Sequence, residues 1–150
     1  GWTPSLERYE NDRLHLTLWE KDARSAAGTP RGRGWAFSGS YELADGFLSF
    51  LRFGQSDGGG SVAAEVSSAL GFEWKHRTDR AWSLGAMWAR PSSDTFGADL
   101  RDEYAIETSY SFELSRNLSL MPDVQLLIDP ARNTAEDTVW VLGLRAIVSI

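Results

Sequence analysis

The chain has 150 residues, room for one domain, and it has no cysteine, which excludes disulfides and thiolate metal sites. A net charge of −6 and a pI near 4.9 argue against nucleic-acid binding. No run approaches the roughly 18 consecutive apolar residues a membrane helix needs. The start, Gly1-Trp2-Thr3-Pro4, lacks the basic and apolar regions of a secretory signal, as a mature protein or an excised fragment would. Mean hydropathy is −0.32, a value shared by soluble proteins and by transmembrane barrels, which turn one face to lipid and the other to water. Seven Trp, seven Phe and four Tyr suit a protein with two membrane–water interfaces to anchor.

The dominant pattern is period two, the signature of strands. From Arg13 to Lys21, Leu14, Leu16 and Leu18 alternate with His15, Thr17, Trp19 and Lys21. Trp35 to Leu43 sets Trp35, Phe37, Gly39, Tyr41 and Leu43 against Ala36, Ser38, Ser40 and Glu42. Phe47 to Gln55 is ambiguous, although Leu51 and Phe53 alternate with Arg52. Val62 to His76 sets Leu70, Phe72 and Trp74 against Gly71, Glu73 and Lys75. Ala81 to Arg90 sets Trp82, Leu84, Ala86 and Trp88 against Ser83, Gly85, Met87 and Ala89.

Glu103 to Leu114 is the cleanest run. Tyr104, Ile106, Thr108, Tyr110, Phe112 and Leu114 share one face, and Glu103, Ala105, Glu107, Ser109, Ser111 and Glu113 share the other. Leu118 to Asp129 places Leu118, Leu120, Val124, Leu126 and Ile128 opposite Ser119, Asp123, Gln125 and Asp129; Pro122 interrupts it, since Pro cannot donate to a ladder. The last run, Trp140 to Ile150, sets Trp140, Leu142, Leu144, Ala146, Val148 and Ile150 against Val141, Gly143, Arg145, Ile147 and Ser149.

Eight strands follow, most of roughly 9–12 residues, near the length a tilted strand needs to cross a bilayer. Ala44-Asp45-Gly46, His76 to Arg80 and Ser115-Arg116-Asn117 are tight turns of the residue types that favour hairpins. Asp22 to Gly34, Ser56 to Ser61, Pro91 to Asp102 and Pro130 to Asp137 are longer loops. Short turns alternating with long loops predict an all-β, antiparallel, up-and-down transmembrane β-barrel in a single domain over 1–150. Two aromatic rows follow on the apolar face: Trp35, Phe53, Trp88, Tyr104 and Trp140 near the loops, and Tyr41, Phe47, Trp74, Trp82 and Phe112 near the turns. A soluble barrel with those aromatics as its core is the competing reading, and it suits less well a second face that is polar without being densely charged.

Particular residues carry a family likeness. Arg101-Asp102-Glu103-Tyr104, Glu107-Thr108-Ser109-Tyr110-Ser111-Phe112-Glu113-Leu114, Met121-Pro122-Asp123-Val124-Gln125, Ile128-Asp129-Pro130 and Leu142-Gly143-Leu144-Arg145 resemble the C-terminal end of the carbohydrate-selective (OprB-type) outer-membrane porins. Upstream, Leu16-Thr17-Leu18-Trp19, Phe50-Leu51-Arg52-Phe53-Gly54, Ser56-Asp57-Gly58-Gly59 and Gly85-Ala86-Met87-Trp88 are similar to it too, and the likeness reaches from about residue 10 to the end. The resemblance accommodates Pro122. It implies the C-terminal half of a 16-stranded barrel in the bacterial outer membrane, in contact with its lipid and passing mono- and oligosaccharides without a cofactor. A missing N-terminal half or self-association would complete such a barrel. Barrels of this kind usually end in an aromatic, whereas this chain ends in Ile150.

On this reading the polar face lines a lumen, with Arg52, Glu73, Lys75, Glu107, Glu113, Asp123, Gln125 and Arg145 as substrate-binding candidates. Charged and amide side chains exchange hydrogen bonds with sugar hydroxyls, and weak repeated sites allow entry and exit. Mutual pairing, for instance of Arg145 with Glu107, is the competing role. Catalysis has little support: His15 and His76 are the only imidazoles and lie far apart in sequence. Asp94, Asp99, Asp102 and Glu103 form an acidic loop, and Gly58-Gly59-Gly60 lacks the Lys-Ser/Thr of a phosphate loop. The alternative function is a small closed eight-stranded barrel with a structural or interaction role and no conductance, since eight strands leave an interior only wide enough for side chains. The many Gly, Ala and Ser on the polar face would leave voids there and favour part of a wider pore.

Overall fold

The computed structural model describes residues 11–97 and 100–148. Expectations for Gly1 to Pro4, Asp99, Ser149 and Ile150 fall outside the described residues. Eight strands run β1 (Arg13–Lys21), β2 (Gly32–Ala44), β3 (Phe47–Ser56), β4 (Ala64–Arg77), β5 (Arg80–Pro91), β6 (Glu103–Ser115), β7 (Leu118–Ile128) and β8 (Thr138–Val148). They form one antiparallel sheet in sequence order. A one-turn helix, α1 (Ser93–Phe96), and a 3₁₀ turn at Ser25–Ala27 lie in the long loops.

Each strand pairs with its neighbour in sequence, and among the described residues β1 and β8 are paired on one side only. The closed eight-stranded barrel therefore fails as a description of these strands. The physical reason is the one visible in the polar face: a ring this small needs large side chains to fill it, and this face carries Gly, Ala and Ser at its centre.

Registers agree with the alternation throughout. Leu16 faces Phe37, Phe37 faces Phe53, Leu51 faces Leu70, Leu70 faces Ala86, Ala86 faces Ile106, Ile106 faces Leu126 and Leu126 faces Trp140. A slip of one residue in mid-strand would move a whole strand's apolar set to the other face; the one-residue shifts that do occur lie at ladder ends, and the central registers are continuous. All three hairpin connections are two residues long, with a bulge beside each at Glu42/Ala44, Trp74/Arg77 and Glu113/Ser115. The first has Gly46 at φ 73°, a conformation that costs glycine nothing. His76, expected in a turn, lies in β4, whose ladder runs on to Arg77.

Pro122 sits inside β7 because the two sides of that strand differ. It pairs with Leu144 of β8, whereas the β6 ladder runs to Ser109 opposite Asp123 and resumes at Phe112 opposite Leu120. The missing N–H falls in that gap. Asp129, expected as the last strand residue, has turned into the following loop at φ 51°.

No hydrophobic interior exists among the described residues. Ala81 and Ala89, with Pro91 and Pro130 at strand ends and loops, are the buried apolar residues, while Leu18, Leu142 and Leu144 are 76%, 80% and 70% exposed. A soluble barrel would bury such residues against one another. A continuous apolar sheet face of this size needs an apolar medium.

Candidate functional site

The polar face is built of cross-strand rows. One row reads Ser40, Phe50, Gly71, Gly85, Glu107, Gln125 and Val141 across β2 to β8. The adjacent row reads Glu42, Leu48, Glu73, Ser83, Ser109, Asp123 and Gly143. Four of the residues singled out in the sequence, Glu73, Glu107, Asp123 and Gln125, thus lie together in two neighbouring rows. Arg52 sits one row further toward the loops, facing Ser38 and Ala69. Lys75 and Glu113 lie at the turn end, and Arg145 faces Met121 on the last ladder.

Contacts in this field are sparse. Gln125 Nε2 donates to Asp123 Oδ1 at 3.4 Å and Ser83 Oγ donates to Glu73 Oε2 at 3.5 Å, both long. Asp123 leans over Gly143, where a Cβ would come within 2.2 Å of its carboxylate. Among the described residues no ion pair joins two of the eight candidates, so Arg145 and Glu107 do not satisfy each other. Most ion pairs lie at the loop rim instead: Arg31 with Glu20, Arg33 with Asp57 at 3.8 Å, Arg90 with Asp102 at 3.7 Å, and Arg101 with both Asp129 (2.7 Å) and Asp137; Arg80 pairs with Asp79 at 3.4 Å in the β4–β5 turn. Charges in the middle of the face remain available to a solute.

Phe50 is the residue that sequence reasoning missed. Its segment looked ambiguous because Phe47, Leu48, Phe50, Leu51 and Phe53 are apolar on both parities. The signal was present in Arg52: counting back two places puts Phe50 on the polar face. Its ring lies over Gly71, where a Cβ would come within 2.7 Å of it, and reaches toward Gly85 at 3.7 Å. A hollow of about 330 Å³ opens beside it, bounded by Glu73, Ser83, Glu107 and Ser109 among others. A second, of about 260 Å³, lies next along the face around Arg52, His15, Ser38 and Ser67.

The opposite face carries the rings. Trp35 packs on Phe53 at 5.3 Å, Phe47 stacks on Phe72 at 5.0 Å, and Phe72 meets Trp82 edge-on at 5.2 Å. His76 stacks on Tyr110 at 5.8 Å and so joins the row near the turns. Trp82 Nε1 donates to Thr108 Oγ1 at 2.7 Å, and Trp88 Nε1 donates to Asp102 Oδ2 at 2.9 Å. Trp88 faces Tyr104 toward the loop end, and Trp74 faces both Phe47 and Trp82 toward the turn end. Eight strands thus carry two levels of aromatics on one face and hydroxyls, carboxylates and glycines on the other. Residues 44–149 match the profile of the carbohydrate-selective porins, the OprB family.

The chain belongs to that family. Comparisons with curated proteins and with solved structures gave no match. The family is one of porins rather than of enzymes.

At the loop rim the strands are held by backbone-directed polar groups. Gly59 packs so closely on Arg31 and Gly32 that a Cβ at 59 would come within 2.0 Å of the Arg31 carbonyl. Ser92, fully buried, donates to the Gly58 carbonyl at 2.7 Å and accepts from the Thr95 N–H at 3.2 Å. Ser93 donates to Glu65 Oε1 through both N–H and hydroxyl. Asp57 accepts from the Arg33 and Gly59 N–H groups, and that from Arg33 chiefly holds its carboxyl below the ordinary 3.8. Hydrogen bonding to Asp137 chiefly raises the Arg101 guanidinium. In the acidic loop, Asp102 is engaged by Arg90 and Trp88, and Glu103 Oε2 accepts from the Ala131 N–H at 2.7 Å. No metal-binding cluster occurs among the described residues.

Proposed function

We propose that the chain forms part of the wall of a water-filled channel in the bacterial outer membrane through which mono- and oligosaccharides diffuse down their gradients. The polar face lines the lumen and the apolar face meets lipid, with the aromatic rows at the two interfaces. The observation that carries this reading is the segregation of the two faces across the central ladders of eight strands, with register shifts confined to ladder ends. Membership in the carbohydrate-selective porins supports the choice of solute.

Passage needs no cofactor. Arg52, Glu73, Lys75, Glu107, Glu113, Asp123, Gln125 and Arg145 offer a sugar a succession of exchangeable hydrogen bonds in place of water, each weak enough to release it. The one-sided pairing of β1 and β8 supports a wider wall than eight strands, continued by further antiparallel strands on those two edges. The test is planar-bilayer conductance of the purified, detergent-refolded chain with glucose and malto-oligosaccharides added. Steady single-channel currents that sugar reduces are the expected result. Sugar-insensitive currents, or silence from protein shown to be folded and inserted, would overturn the reading.

A further inference from the structure

We infer that Phe50 is the floor of a discrete pyranose subsite on the polar face, with Glu73 and Glu107 as its hydroxyl acceptors and Arg52 at its edge. The inference rests on the channel reading for its setting, and it goes further by naming one place, one ring and one sugar geometry. Among the described strand residues of this face, Phe50 and Trp19 are the aromatic carbon rings, and Trp19 lies up at the loop rim, where its indole packs on Gly34. Phe50 is alone in the middle.

The backbone beneath Phe50 leaves room for its ring. The residues beside it on β4 and β5 are Gly71 and Gly85, which have no side chains to displace it, and the ring atoms Cε1 and Cζ rest against Gly71. The residue as a whole remains partly exposed. An aromatic ring seated on a wall, with polar groups around it, matches a pyranose in the chair form. Such a sugar presents axial C–H groups from one face and equatorial hydroxyls around its edge. The C–H face stacks on the ring, as apolar groups do on aromatic surfaces, while the hydroxyls reach outward in the plane of the rim.

Polar groups stand where those hydroxyls would go. Glu107 lies in the same row as Phe50, two strands beyond Gly71, and Glu73 lies in the next row on β4. Ser83 and Ser109 complete the wall of the hollow of about 330 Å³, a size at the small end of ligand pockets. A carboxylate accepts from two vicinal hydroxyls at once, and a serine hydroxyl both donates and accepts. On the other side, the Arg52 guanidinium lies 5.6 Å from the Phe50 ring centroid. That is a cation–π contact over the ring near the outer limit of its range, and a sugar entering beside the ring meets guanidinium N–H groups able to donate to a ring or hydroxyl oxygen. The subsite thus contains acceptors, donors and one apolar platform, which an acyclic polyol of similar hydroxyl number cannot use together.

The test is equilibrium binding of D-glucose, maltotriose and sorbitol to the refolded full-length chain in detergent, by saturation-transfer NMR. The variants are Phe50→Leu, Phe50→Tyr and the double change Glu73→Gln with Glu107→Gln. Leucine keeps an apolar cover over Gly71 and removes the flat ring, so a folding defect is not expected to obscure the result. Glucose and maltotriose should bind in about the millimolar range, as a site through which solute must pass requires. Sorbitol should bind at least tenfold more weakly. F50L should lose about tenfold in sugar affinity, F50Y should keep it, and the double glutamine variant should fall several-fold. Equal binding of sorbitol and glucose, unchanged affinity in F50L, or no sugar binding to the unaltered chain would overturn the subsite. Conductance read separately keeps the two claims apart: currents blocked by sugar equally in F50L and unaltered protein leave the channel standing and remove the subsite. Phe50-dependent binding in a chain that carries no current does the reverse.

Discussion

The two faces of this sheet are made by the same strands, one residue apart, yet they are assembled by opposite rules. On the apolar face large side chains meet across strands, with Phe47 on Phe72 and Phe72 on Trp82 within about a ring diameter. On the polar face size is avoided: Gly71 makes room for Phe50 and Gly143 for Asp123. One side has to offer a continuous surface to hydrocarbon, and the other has to leave volume for water and solute. A soluble protein buries its apolar face to stabilise the fold; among its described residues this sheet has almost no buried apolar side chains, and on the proposed channel reading lipid supplies that stabilisation.

The sharpest way to break the comparison is to put one charge on each face. Ile106→Arg, in the middle of β6 and turned to lipid, should cost about 2–4 kcal/mol of folding free energy in phospholipid vesicles, measured by urea titration. Glu107→Arg, its neighbour on the opposite face, should leave that midpoint nearly unchanged and shift the cation/anion preference of the current. Equal costs at both positions would remove the distinction between the faces.

A smaller effect is expected from filling space on the polar face. Gly71→Val places a Cβ within 2.5 Å of the Leu84 carbonyl and 2.7 Å of the Phe50 ring. The displaced ring and backbone should cost about 1–3 kcal/mol in the same titration, with sugar affinity falling alongside. Smaller again is Ser92→Ala in the loops, which removes a buried hydroxyl from the Gly58 carbonyl and the Thr95 N–H. About 1–2 kcal/mol of local stability should be lost there, seen as faster amide exchange at 57–60 and 95–97 with little change in the strands.

The smallest effect is set by pH. Asp57 has a carboxyl titrating below 3.8 in the folded chain, chiefly because it accepts the Arg33 N–H. A lowered folded value means that its contribution is complete above 3.8 and is lost as pH falls through the lower folded value. Amide exchange at Gly59 should therefore quicken only in that acidic window, and Asp57→Asn should flatten the dependence. Acceleration near neutral pH would contradict the assignment.

Most of the architecture could be read before any coordinates. Strand β1 has the bounds its alternation implies, and the other strands differ from theirs by one to three residues at a described end; at the turn ends of β2, β4 and β6 a bulge accompanies the one-residue extension. Alternation is legible because each strand separates two solvents, so nearly every residue is constrained by the medium it faces. The loop rim was not legible. Ser92 meets Gly58, Ser93 meets Glu65 and Gly59 meets Arg31 across 28 to 34 residues of chain, and nothing in their spacing signals it. Phe50 was obscured by apolar neighbours of the other parity.

The sequence by itself determined the period, the two faces, the alternation of turns and loops, and the family, because these depend on local geometry and on residues within one hairpin. Tertiary structure alone decided which rows meet. It placed Glu73 and Glu107 beside Phe50, laid that ring on Gly71, kept the central charges out of ion pairs, and left β1 and β8 each paired on one side. Those outcomes depend on register summed over several strands, and register is a property of the assembled sheet rather than of any one strand.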